Sequence, residues 1–71
     1  MKDTKEVTYE LKRLHKTIEL LKSLRQQTEM ELPIAPFKWE KVSVTPDQAI
    51  GFVAKCTAMQ KQIKGMYPFI G

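Results

Sequence analysis

Two prolines near the middle of the chain, Pro33 and Pro36, limit its fold more than any other feature. Proline has no backbone N–H and disfavours a helical residue before it, so a helix that reaches this point ends there. We expect the segment 32–36 to take an extended or turning path. The 71 residues are thereby divided into two halves of one small domain, residues 1–71, and each half carries a helical pattern.

The first half predicts one long helix over about residues 3–30. No Gly or Pro occurs between Asp3 and Met30, and Asp3 with Glu6 has the spacing of an N-terminal capping box. Apolar residues recur at alternating spacings of four and three, which is typical of a coiled-coil seam. The residues of this seam are Val7, Leu11, Leu14, Ile18 and Leu21.

The second half predicts a helix over about residues 46–64, with Gly65 as its left-handed C-terminal cap. Its start is marked by Thr45-Pro46-Asp47-Gln48, which combines an N-cap, a proline in the first turn and a capping-box glutamine. The helix is apolar on several sides, and Gly51, Ala54 and Ala58 on one face permit the close approach of a further helix. Its predicted seam includes Val53, Cys56, Met59 and Ile63.

The residues between and after the helices are rich in aromatic side chains. We interpret 31–44 as an extended Pro/aromatic connector, because the imperfect alternation over 37–44 indicates a strand for which the sequence offers no partner; a two-stranded ribbon across a dimer is the alternative. The segment 65–71 is an apolar tail. Connector and tail supply the candidate partner-binding residues Phe37, Trp39, Tyr67, Phe69 and Ile70.

These patterns predict an all-α fold, an antiparallel helical hairpin that assembles into a dimeric four-helix bundle. The core of so short a chain contributes about 3–5 kcal/mol of stability, and chains of this size usually add disulfides, a metal or a partner subunit. One cysteine excludes an internal disulfide, and one cysteine with one histidine argues against a structural zinc site. We therefore expect a homo-oligomer whose core is made by the two seams.

The chain is mildly basic, with 12 Lys and Arg against 8 Asp and Glu and a net charge of +4. Such a charge favours an acidic protein partner, nucleic acid or an anionic membrane surface, without choosing among them. The nucleic-acid candidates on the first helix are Lys5, Lys12, Arg13 and Lys16. Glutamates are interleaved with them, and Glu10 can pair with Arg13 at i,i+3, which is typical of a solvated helix face.

No motif predicts catalysis, a cofactor or a metal site. Cys56 is expected to be a buried thiol and His15 a residue at the edge of the seam. The sequence therefore favours a non-enzymatic protein–protein interaction module, a small regulator, adaptor or inhibitor. A nucleic-acid-binding regulator and a structural subunit of a larger assembly are the alternatives. A cytoplasmic location is expected, because no secretory signal or membrane span is visible and the single thiol fits a reducing compartment.

Overall fold

The computed structural model describes residues 3–70, apart from the side chain of Ile70, and has an α+β arrangement. Helix α1 is followed by two strands and then by helix α2, which leads into one turn of 3-10 helix. The bounds are α1 Thr4–Lys22, β1 Thr28–Ala35, β2 Lys38–Val44, α2 Pro46–Met66 and the 3-10 helix Pro68–Ile70.

The two strands form an antiparallel β-hairpin, and the predicted all-α helical hairpin with its four-helix bundle is therefore wrong. Residues 28–30, predicted as the last turn of the first helix, belong to β1, and the predicted connector is mostly strand. The partner that 37–44 was expected to lack is the segment immediately before it in the same chain. The register joins Thr28 to Val44 and Met30 to Val42.

Helix α1 begins where the sequence predicts and ends earlier. The Asp3 side chain accepts a hydrogen bond from the Glu6 backbone N–H at 2.8 Å, which satisfies one of the amides left open at a helix start. The helix ends at Lys22, and the Ser23 hydroxyl lies 3.2 Å from the carbonyl oxygens of Glu19 and Leu20. The good helix formers that follow are used in the hairpin, because pairing with β2 outweighs their weak intrinsic preference.

Helix α2 confirms the predicted start. Thr45 and Gln48 form the reciprocal capping box, and Pro46 occupies the first turn. The helix continues through Gly65 to Met66, so the prediction of Gly65 as a left-handed cap is wrong; Tyr67 follows the helix with φ of −132°. None of the helices within residues 3–70 has the length and apolar character that a bilayer crossing requires.

One core joins α1, α2 and the hairpin. The helices run antiparallel, since Leu21 near the end of α1 lies beside Ala49 near the start of α2. The predicted oligomer-core residues pack inside this single chain: Val7, Leu14, Ile18, Leu21, Cys56 and Ile63 are buried, and Leu11, Val53 and Met59 are partly buried against them. Leu32 and Val44 of the hairpin and Ala49 of α2 complete the core.

Candidate interaction surface

Glu10 of α1 fixes the tip of the hairpin against the helices. Its side chain is only 4% exposed, and its Oε2 atom accepts hydrogen bonds from Trp39 Nε1–H at 2.7 Å and from the Phe37 backbone N–H at 3.2 Å. A buried carboxylate is costly unless donors replace the water it loses. These two bonds meet that requirement and hold Trp39 in one orientation.

Arg13 lies one turn further along α1 and covers the Trp39 ring. Its guanidinium carbon is 4.0 Å from the ring centroid, and its Nη2 atom is 3.4 Å from Oε1 of Glu31 on β1. A cation over an indole face is attracted by the negative face of the ring, and the attraction grows as water is excluded. The expected pairing of Glu10 with Arg13 is thus replaced by bonds from both residues to the hairpin.

The turn between the strands places Phe37 in an unusual backbone conformation. Pro36 and Phe37 are the two turn residues, and Phe37 has φ of 65°, a region that favours Gly or Asn. A β-branched or bulky residue in this region stores strain that the surrounding contacts must offset. The strain is maintained by the hydrogen bond to Glu10 and by the contact of the Phe37 ring with Tyr67.

Aromatic rings continue from the hairpin tip to the end of α2. Phe37 and Tyr67 meet edge to face with centroids 6.1 Å apart, and Tyr67 meets Phe69 in the same way at 6.0 Å. Edge-to-face pairs place the positive edge of one ring against the negative face of the next. We call the surface formed by these residues the aromatic end; its members are Tyr9, Phe37, Trp39, Tyr67 and Phe69.

An open groove of about 450 Å³ runs between α1 and the hairpin at this end. It is lined by Lys5, Glu6, Tyr9, Glu10, Arg13, Phe37 and Trp39. Tyr9 and Phe69 are each 66% exposed. The aromatic end thus combines a Trp39 ring held in place by Glu10 with two large exposed rings, Tyr9 and Phe69.

Four of the five predicted partner-binding residues come together here, namely Phe37, Trp39, Tyr67 and Phe69. The side chain of the fifth, Ile70, lies outside the described part of the structure. Tyr9 and Glu10 also belong to this surface, although the sequence pattern did not predict either as a partner-binding residue. A signal for Glu10 existed, because it lies three residues after Val7 and four before Leu14, on the buried side of α1.

The nucleic-acid candidates are divided between two environments. Lys5, Lys12 and Lys16 are exposed on α1, whereas Arg13 is half-buried and bound to Trp39 and Glu31. Lys12 and Lys16, separated by one helical turn from each other, present their charges to solvent. Only part of the predicted basic cluster is therefore available to a phosphate backbone.

Cys56 and His15, a potential nucleophile and a potential base, lie in different environments. Cys56 is buried, and burial raises the pKa of its thiol above the usual value of 9.0. His15 is exposed and its Nε2 lies 3.8 Å from Oε1 of Glu19. Among the residues described, no group of three His, Cys, Asp or Glu side chains could hold a metal ion.

Comparison of this chain with protein families, curated proteins and solved structures found no match. A functional proposal therefore rests on the geometry of the chain itself, and the aromatic end is the surface with the most specific geometry.

Proposed function

We propose that this chain is a non-enzymatic protein-interaction module that binds an acidic protein segment at its aromatic end. The observation that carries the proposal is the fixed orientation of Trp39 by Glu10 and Arg13 in a surface that also includes two exposed rings, Tyr9 and Phe69. Aromatic side chains held in place before binding lose little conformational entropy when a partner arrives. Trp, Tyr and Arg are also the residues most enriched among the strongest contacts of protein interfaces.

The charge around the aromatic end supports an acidic partner. Lys5 lines the groove, Lys38 directly follows Phe37, and Lys64 lies in the last turn of α2; all three are exposed. Acidic Asp3 and Glu6 are nearby, so the positive potential is moderate. A segment with Asp or Glu residues beside one large apolar side chain fits this surface: the apolar group enters the groove and the charges steer the approach.

A peptide selection tests this proposal. A random peptide library displayed on phage, selected against the wild-type chain, is expected to yield sequences that combine acidic residues with an aromatic or aliphatic anchor. The selected peptides should bind the Phe69→Ser and Lys5→Glu variants about tenfold more weakly, by fluorescence anisotropy, because each change removes an exposed contact. Leu20→Ser is the matched control, since Leu20 is 52% exposed on α1 and lies outside the aromatic end.

Equal binding to Phe69→Ser and Leu20→Ser, or selected peptides without acidic residues, would contradict the proposal. The role of regulator, adaptor or inhibitor depends on which protein carries the bound segment. A structural subunit would use the same surface in a complex that does not exchange, so the dissociation rate of the purified natural complex separates these two roles.

Nucleic-acid binding is a second candidate, favoured by one observation. Lys5, Tyr9, Lys12 and Lys16 follow one another at spacings of four, three and four along α1, and all are exposed. Lysines along one helix face can neutralise successive phosphates, and Tyr9 offers a ring for stacking. Duplex DNA and single-stranded RNA should then bind the wild type at low salt and the double variant Lys12→Glu/Lys16→Glu much more weakly; no binding at low salt removes this candidate.

We propose two partners for the molecule, the acidic protein segment and a second copy of the same chain. The second copy needs a surface away from the aromatic end, because a dimer that covered that end would compete with the acidic partner.

A further inference from the structure

Helix α2 carries a large side chain that the single chain does not cover. Only Ala49, Cys56 and Ile63 of its 21 residues are buried. Ile50 is 81% exposed, more than any other large hydrophobic residue that the structure describes. Removal of such an exposed isoleucine from water by another surface is favourable, because burial of apolar area lowers the free energy.

The residues beside Ile50 form a pattern that is symmetric in sequence. Asp47, Ala54 and Lys61 are spaced by seven, so they lie on nearly the same side of α2. Ile50 and Ala58 lie four residues before and four after Ala54. All five are exposed. We call this surface the outer α2 face.

We propose that the outer α2 face binds the same face of a second copy, with the two helices antiparallel and a two-fold axis at Ala54. Asp47 of one copy then lies opposite Lys61 of the other, about 10 Å along the helix from the axis on each side. Ile50 of one copy lies opposite Ala58 of the other, a large side chain against a small one. The two alanines at position 54 meet at the axis.

The charges and sizes on this face specify a second copy and its orientation. In a symmetric dimer each contact occurs twice, so a face must be complementary to itself. Antiparallel pairing about Ala54 matches acid with base and large with small, whereas parallel pairing would place Asp47 on Asp47 and Lys61 on Lys61. Within residues 3–70 neither Asp47 nor Lys61 forms an ion pair inside the chain, so both charges are available to a partner.

Gly51, next to Ile50 in α2, lets the backbone of a second helix approach closely. A Cβ atom added there would meet no other atom within 4 Å, and its φ is not positive. The fold of the single chain therefore does not require glycine at this position, although glycine weakens a helix relative to alanine. In the proposed dimer Gly51 lies about 60° round the helix from Ala54, at the edge of the contact, where a small residue lets the backbones approach.

Charge reversal tests the proposed register. Sedimentation equilibrium of the purified full chain gives the dimer dissociation constant of the wild type and of Asp47→Lys, Lys61→Asp and the double variant with both changes. Each single reversal creates two like-charge contacts per dimer and is expected to raise the dissociation constant about tenfold. The double variant restores opposite charges and is expected to return to within about threefold of the wild type.

Lys55→Asp is the matched control. It changes the net charge as Lys61→Asp does, but Lys55 lies about 100° round the helix from Ala54, so its dissociation constant should stay near that of the wild type. The loss of an acidic residue from the first turn of α2 affects Asp47→Lys and the double variant alike. Recovery in the double variant therefore reports the contact between copies and not the stability of the helix.

This inference rests on the proposed self-association and is independent of the acidic partner. A wild-type chain that sediments as a monomer at about millimolar concentration would overturn both the self-association and the assigned face. A dimer that tolerates both single reversals, or that the double variant fails to restore, would overturn the face alone. Neither result bears on the aromatic end, which the peptide selection tests separately.

Discussion

A carboxylate buried beside two N–H donors is a demanding arrangement, because its stability depends on donors that arrive from another part of the chain. Glu10 meets this condition through Trp39 and Phe37, which lie 29 and 27 residues later. Its place on the buried side of α1 follows from helical periodicity, between Val7 and Leu14. Periodicity does not indicate the hydrogen-bond partner of Glu10, so the sequence alone predicts a solvated side chain that can pair with Arg13.

We predict that Glu10→Ala lowers the free energy of unfolding by about 1–3 kcal/mol, because it leaves two N–H groups of the hairpin without their acceptor. Chemical denaturation followed by circular dichroism measures this change, and Trp39 fluorescence should shift towards longer wavelength as the indole becomes more hydrated. Glu19→Ala is the control, since the Glu19 carboxylate is exposed and lies 3.8 Å from the exposed His15 imidazole. Equal stability of the two variants would show that Glu10 does not hold the hairpin.

The hairpin is the element that the sequence patterns predicted least accurately. Pro33 and Pro36 predict an interruption of helix, and the structure confirms this, but they do not exclude a strand. The register shifts between Pro33 and Ala35, so the proline without an N–H lies where the ladder is irregular. Pro36 in turn favours the two-residue turn that brings Lys38 opposite Ala35. Residues interpreted as a break in structure are thus the ones that close the hairpin.

We predict an inverted order of stability at Phe37. Both Phe37→Ala and Phe37→Gly remove the ring contact with Tyr67, so both are less stable than the wild type. The glycine variant should nevertheless be more stable than the alanine variant by about 0.5–1 kcal/mol, because only glycine adopts the observed φ of 65° without strain. Thermal unfolding of the two variants measures the difference.

The control for this comparison is the same pair of changes at Lys41, in the middle of β2. There glycine should be the less stable variant, as it usually is within a strand. If alanine were also the more stable residue at position 37, the turn would not be strained at Phe37.

The whole molecule depends on one small core shared by three elements. The nine buried hydrophobic residues that the structure describes come from α1, the hairpin and α2, so that no pair of elements holds the core alone. The side chains predicted to bury each other between copies do so within one chain, because the hairpin supplies Leu32 and Val44 as the third layer. The seams are therefore not free to pair with a second copy, and the outer α2 face is the surface at which we propose self-association.

We predict that Leu14→Ala leaves the chain largely unfolded at physiological temperature. Leu14 is fully buried, and removing such a leucine costs about 2–5 kcal/mol, including the cavity that remains. The whole stability of a core this small is about 3–5 kcal/mol. Circular dichroism should show the loss of helix, whereas Leu20→Ala, at a side chain that is 52% exposed, should melt like the wild type. A stable Leu14→Ala variant would mean that the core lies elsewhere.

The features that could be predicted from sequence are those formed by neighbouring residues. Asp3 and the Thr45–Gln48 box mark both helix starts, and the spacing of Val7, Leu14 and Leu21 identifies the buried side of α1, because these signals act within one or two turns of helix. The packing of the hairpin against the helices, the end of α1 at Lys22 and the aromatic end depend on contacts between distant residues, such as Trp39 with Glu10. Such contacts stabilise the fold only after the chain has closed into a loop that joins them. No local sequence pattern therefore predicts them. For this reason the tertiary structure alone brings Trp39 and Tyr67 into one surface.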